Sequence, residues 1–100
     1  MASDSPDSRE AAALVTMAYR VYAVALHARG HKEQRQTLER LAQAALSQAI
    51  EQRPRLAFEG LVEIRSLMRD DTFAGLGAAD LEALRAALES LDQYAPGSAE

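Results

Sequence analysis

The sequence predicts an all-α fold, a compact bundle of four helices with a central, mostly apolar first helix. Three observations lead to this prediction. Apolar residues recur at helical spacing, and no run alternates apolar and polar residues as a strand does. Alanine and leucine, both strong helix formers, are abundant. Helix-breaking residues collect around Gly30, at Pro54 and in the stretch DDTFAGLG, and these three interruptions divide the chain into four segments.

The length of the chain, 100 residues, suits one domain with a single hydrophobic core. We assign residues 9–94 to this helical-bundle domain. Residues 1–8 and 95–100 are predicted to be flexible tails, because they consist largely of small, polar or helix-breaking residues.

The first segment, about Asp7 to Arg29, ends at Gly30, a residue typical of helix ends. Its apolar residues fall on two faces. One face is formed by Leu14, Met17, Val21, Val24 and Ala28, and the other by Val15, Tyr19, Tyr22 and Leu26. A bundle of this size covers one such face more easily than two. We therefore predict a two-fold homodimer whose interface contains the second face.

The other three segments each have one apolar face. They run from about Lys32 to Arg53, from Pro54 to the DDTFAGLG loop, and from about Ala78 to Tyr94. Within that loop, Phe73 and Leu76 are expected to fold back as a plug. The predicted apolar faces contain Leu38, Leu41, Ala42, Ala45, Leu46, Ala49 and Ile50 in the second segment, Ala57, Leu61, Ile64 and Met68 in the third, and Leu81, Leu84, Leu88 and Leu91 in the fourth.

The charge of the chain is acidic, with a formal net charge of −4 and a pI near 5.1. Residues 1–50 carry six basic and five acidic side chains, whereas residues 51–100 carry five and ten. This balance argues against nucleic acid as a partner and favours a basic or neutral protein. Cysteine is absent from the sequence, which excludes disulfides, thiolate metal sites and thiol catalysis.

The apolar run from Ala11 to Ala28 approaches the length of a membrane span, but Arg20 lies near its centre. An arginine there costs about 2.5–3.5 kcal/mol on insertion, which offsets what the strongest apolar residues contribute. We therefore expect no membrane association. The first ten residues also lack the basic start and apolar core of a secretory signal, so the predicted location is the cytoplasm.

Arg20 and His27 stand seven residues apart and so share one face of the first helix. One interpretation is that Arg20 reaches solvent or an acid while its stem covers apolar surface. The other is a binding or catalytic site. The spacing resembles the R-x4-6-H signature of HEPN-type ribonucleases, in which an arginine and a histidine act on RNA, and the resemblance covers these two residues.

A second group of charges surrounds the first turn and adds His31, Lys32 and Arg35 to the candidate binding residues. Lys32 and Arg35 stand at a helix N-terminus, where positive charge is mildly unfavourable. Their presence there hints at an acidic partner or an anion. The alternative is a solvated turn that serves solubility.

No motif in the sequence identifies a reaction or a ligand. The serines are not in glycine-flanked elbows, no glycine-rich phosphate loop is present, and His27 and His31 lack a nearby third metal ligand. Asp71 or Thr72 is expected to cap the turn that follows. We therefore predict a non-enzymatic protein–protein interaction module, an adaptor or a regulatory subunit, that self-associates and needs no metal or cofactor. The alternative is a small helical enzyme, or a ligand- or RNA-binding protein, that uses Arg20 and His27.

Overall fold

A computed structural model describes the backbone of residues 6–94 and the side chains of residues 9–94. Within this range the chain forms four α-helices and no strand, which confirms the predicted all-α bundle. The helices are α1 (Pro6–His27), α2 (Lys32–Ile50), α3 (Pro54–Arg69) and α4 (Ala78–Ala87), followed by a 3₁₀ helix at Leu91–Tyr94. Residues 6–8 thus belong to α1, and the rest of the two predicted tails, residues 1–5 and 95–100, lies outside the described residues.

Helix α1 is central, because it packs against α2, α3 and α4. Its buried side is a stripe whose members alternate steps of three and four: Ala11, Leu14, Ala18, Val21, Ala25 and Ala28. Residues at this spacing lie on one side of a helix. Alanine at every second position of the stripe leaves room for neighbouring helices to pack close to α1. The sequence placed Val24 in this buried set, but it is only half-buried, while Met17 is buried.

Helix α2 ends at Ile50, three residues earlier than the sequence predicts. The next residues form a Schellman motif, in which Gln52 adopts the left-handed conformation with a φ of 61°. The Arg53 amide donates to the carbonyl oxygen of Gln48 at 2.9 Å, and the Gln52 amide donates to that of Ala49 at 3.0 Å. Glycine is the usual residue at this position, so its absence explains why the sequence misplaces the end.

Helix α3 ends in the same way, and this makes the expected capping role of Asp71 and Thr72 wrong. Asp71 has a φ of 61°, and the Thr72 amide donates to the carbonyl oxygen of Leu67 at 3.0 Å. Both residues therefore terminate α3. The residue that precedes the first turn of α4 is Gly77, which offers no side-chain acceptor.

The predicted fourth segment is divided into α4 and the 3₁₀ helix. In the 3₁₀ region the Leu91 amide donates to the carbonyl oxygen of Leu88 at 3.1 Å. Three residues per turn bring Leu88, Leu91 and Tyr94 onto one side, where both leucines are buried and the tyrosine packs against the core. An ion pair between Arg65 and Asp92, 2.8 Å from Nη1 to Oδ1, joins α3 to the 3₁₀ helix.

The loop between α3 and α4 folds back as expected, with Phe73 fully buried and Leu76 4% exposed. It pairs with the α1–α2 turn through an isolated antiparallel bridge between Gly30 and Leu76. The loop thus contributes an aromatic side chain to the core and also fixes the end of the helical hairpin.

Two side chains reinforce this contact between the loops. The amide of Gly75 donates to Oε1 of Gln34 at 2.7 Å, and the amide of Arg29 donates to Oδ2 of Asp80 at 3.1 Å. Both side chains accept from backbone amides that no helix satisfies. The sequence alone does not indicate these two contacts, because the bonded residues are 41 and 51 positions apart along the chain.

Candidate functional site

The second apolar face of α1, here called the tyrosine face, consists of Val15, Tyr19, Tyr22 and Leu26. It lies beside the buried stripe of the helix. Tyr19 is 63% exposed and Leu26 is 51% exposed, while Val15 and Tyr22 are half-buried and pack against the core. The described part of the chain thus covers this face only in part, and leaves Tyr19 and Leu26 exposed.

Ile50 at the end of α2 adds to the exposed apolar surface. The sequence assigns it to the buried face of α2, but the structure leaves it 62% exposed. It is the last residue of α2. Among the described residues, the large hydrophobic side chains that remain exposed are Tyr19, Leu26, Ile50 and Leu56.

Arg20 lines a shallow groove of about 350 Å³ between α1 and the end of α4. Its other lining residues include Thr16, Met17, Glu89, Ser90 and Tyr94. Arg20 itself is exposed and makes no ion pair with any residue between 9 and 94. Its guanidinium is therefore available to a ligand or simply to water.

His27 does not line this groove. It is exposed in the last turn of α1, about 10 Å from Arg20 along the helix axis. The two residues share a helix face, as the sequence predicts, but two turns of α1 separate them, and His27 lies outside the groove. The structure thus does not bring them into a common pocket.

The remaining candidate binding residues lie in three different environments. The His31 ring lies against Gly75, since a Cβ added to that glycine would meet its Cγ at 2.9 Å. Lys32 is fully exposed in the first turn of α2. Arg35 is half-buried, and its Nε has no hydrogen-bond partner among the described residues. These three side chains do not line a common pocket.

The described part of the chain has neither a group of metal ligands nor a helix that could cross a membrane. Between residues 9 and 94, no three histidine, cysteine or acidic side chains are grouped so that they can hold a metal ion. None of the helices there combines the length and the apolarity that crossing a bilayer requires.

No family model, curated protein or solved structure matches this chain. The function is therefore inferred from surface chemistry alone. The tyrosine face carries two of the four large hydrophobic side chains that are exposed in the described part of the chain.

Proposed function

We propose that this protein is a non-enzymatic interaction module, an adaptor or a regulatory subunit, and that it self-associates through the tyrosine face. The observation that carries the proposal is the exposure of Tyr19 and Leu26 on one side of α1, with Val15 and Tyr22 between the exposed surface and the core. Contiguous apolar surface on a small protein is typical of an interaction site.

The chemistry of the tyrosine face suits a protein partner. Tyrosine is enriched at protein interfaces because its ring buries a large apolar area while its hydroxyl keeps a polar contact at the rim. Covering the exposed half of Leu26 contributes about 1 kcal/mol for each copy. A net charge of −4 adds no attraction for nucleic acid. The cytoplasmic location stays a prediction.

Leu26→Glu is expected to shift the protein from dimer to monomer, because it places a charge inside the proposed interface. Light scattering across a dilution series measures the change. The wild type is expected to approach twice the 10.9 kDa mass of one chain as concentration rises. The matched control is Leu56→Glu, since Leu56 is a leucine of similar exposure, 46%, but lies on α3.

Two results would contradict the proposal. One is a wild-type mass that stays at 10.9 kDa at every concentration. The other is an equal loss of dimer in both glutamate variants, which would point to a general effect of added charge. Circular dichroism of each variant confirms that the helices remain intact.

A second candidate function, binding of a small anionic ligand, is favoured by the position of Arg20. Its guanidinium borders a groove that is also lined by three hydroxyl-bearing residues, Thr16, Ser90 and Tyr94. A small polar ligand with one carboxylate, held by Arg20 and away from Glu89, fits this combination of groups. The HEPN-type nuclease is a separate hypothesis, because it requires His27 in addition to Arg20.

Arg20→Ala is expected to change the free energy of unfolding by about 1 kcal/mol or less, because the residue is exposed and unpaired within residues 9–94. Chemical denaturation measures this, and the dimer is expected to persist. An RNA cleavage assay on the wild type is expected to show no activity. Cleavage that is lost in both Arg20→Ala and His27→Ala, with folding intact, would replace the proposed function by the nuclease.

A further inference from the structure

The exposed surface around the tyrosine face extends onto α2. Helix α3 packs against both α1 and α2, so it covers one side of this helix pair. Ala45 lies on the side of α2 that faces α3. Its Cβ is 3.2 Å from the position that a Cβ on Gly60 of α3 would occupy. Leu46 and Ile50 are turned from Ala45 by about 100° and 140° around the helix axis, so they face away from α3.

The tyrosine face occupies the corresponding flank of α1. The groove beside Met17 and Arg20 marks where α4 packs, and the tyrosine face lies on the other flank of the helix. Since α1 and α2 pack directly together, these two flanks adjoin, and they are here called the α1–α2 face. Its apolar residues are Val15, Tyr19, Tyr22, Leu26, Leu46 and Ile50, and its α2 side also carries Glu39 and Gln43. Three of the four exposed large hydrophobic residues in the described part of the chain belong to it.

The dimensions of the α1–α2 face match a modest dimer interface. Two helices packed 8–10 Å apart present a surface about 20 Å wide, and the α1–α2 face is about 25 Å long, so its whole area is on the order of 500 Å². A specific interface covers roughly a tenth of a small protein's surface, which is on the order of 600 Å² of the 6367 Å² found here.

The gaps between the residues of the tyrosine face are the same whether α1 is followed from its first residue or from its last. The gaps between its four members are four, three and four residues. A second α1 laid antiparallel across it therefore opposes Val15 to the partner's Leu26, and Tyr19 to the partner's Tyr22. The two-fold axis then passes between residues 20 and 21, and every side chain of the tyrosine face meets another.

Charge distinguishes this antiparallel arrangement from a parallel one. The described start of α1 has one net negative charge, and residues 27–35 have two net positive charges. The charged residues are Asp7, Arg9 and Glu10 at the first end, and Arg29, Lys32, Glu33 and Arg35 at the second. Antiparallel packing brings opposite charges and opposite helix dipole ends together, whereas parallel packing brings like charges together.

We propose that the partner on the α1–α2 face is a second copy of this chain, with the two α1 helices antiparallel and Leu46 and Ile50 at the border of the interface. This proposal rests on the proposed function, because it assumes self-association. It adds the orientation of the partner and the contribution of α2, each of which has its own test.

Cysteine cross-linking tests the orientation, since the chain has no cysteine of its own. In the antiparallel dimer the two copies of residue 15 are about 16 Å apart along the axis. A disulfide needs Cα atoms within about 7 Å. Val15→Cys and Leu26→Cys are therefore expected to remain uncross-linked when oxidised separately, and to form a covalent dimer when mixed. Glu63→Cys, at an exposed position on α3, measures the background from random collision.

The possible results separate the two proposals. Cross-linking of each single variant with itself would show a parallel dimer, which overturns the orientation and leaves the proposed function standing. A dimer by light scattering without cross-links above the Glu63→Cys background would place the interface elsewhere. A monomer at all concentrations would overturn both proposals. Light scattering of the reduced variants confirms that the cysteines themselves do not change the assembly.

Ile50→Glu tests the contribution of α2 independently of the cysteines. We expect the dimer dissociation constant to rise at least about tenfold, because the substitution places a charge at the border of an apolar interface. Circular dichroism of each variant separates a change in assembly from a loss of folding. A dissociation constant equal to that of Leu56→Glu would remove α2 from the interface.

Discussion

Phe73→Ala is expected to lower the free energy of unfolding by about 3–5 kcal/mol. Phe73 has the largest side chain among the fully buried residues of the described chain. Its removal leaves a cavity that the surrounding helices fill only in part, because the loop that carries Phe73 is fixed at Gly75 and Leu76 by hydrogen bonds to the α1–α2 hairpin. A domain of this size is stable by about 5–15 kcal/mol, so the loss is a large fraction of the total.

Urea denaturation measures this loss as a lower midpoint at an unchanged slope. The control is Phe58→Ala, because Phe58 is the other phenylalanine and is only half-buried on α3. We expect it to lose less than half as much stability. Equal losses in the two variants would show that Phe73 has no special place in the core.

Gly30→Ala is expected to lower the free energy of unfolding by about 2 kcal/mol or more. Gly30 has a φ of 154°, which side chains rarely adopt, and it forms the bridge to Leu76. An added Cβ would overlap the carbonyl oxygen of Gly75 and lie 3.0 Å from the Cα of Leu76. Both of these are backbone atoms, so the two loops must separate to make room.

Gly77→Ala is the control for this substitution. Gly77 has a φ of −65° and precedes α4, and the nearest atom to an added Cβ is Oδ2 of Asp80 at 3.4 Å, an ordinary contact. We expect a loss below about 1 kcal/mol. Thermal melts of the two variants make the comparison. A Gly30→Ala melt as high as that of Gly77→Ala would show that the contact between the loops adds little to stability.

The sequence by itself determined the helices and most of their buried faces. The periodic positions of Leu38, Leu61 and Leu84 predict burial correctly, and Pro54 predicts the start of α3. These features are local, because each depends on residues within one or two turns. The composition of the tyrosine face was also readable from the sequence, since it follows from the 100° step of a helix.

The ends of the helices were harder to predict from the sequence. Gln52 and Asp71 adopt the left-handed conformation that glycine usually takes, and neither residue type signals such an end. The break between α4 and the 3₁₀ helix likewise has no glycine or proline to mark it. It is explained by packing, which turns Leu88 and Leu91 toward the same buried side.

The tertiary structure alone decided which helix surfaces remain exposed to solvent. The groove between α1 and the end of α4 includes Arg20 but not His27, so two residues on one helix face have different surroundings. Helix α3 covers one side of the α1–α2 pair and leaves Tyr19 and Ile50 exposed on the other. Helical periodicity states which residues of a helix lie together, but the exposure of that group depends on where helices distant in sequence come to pack.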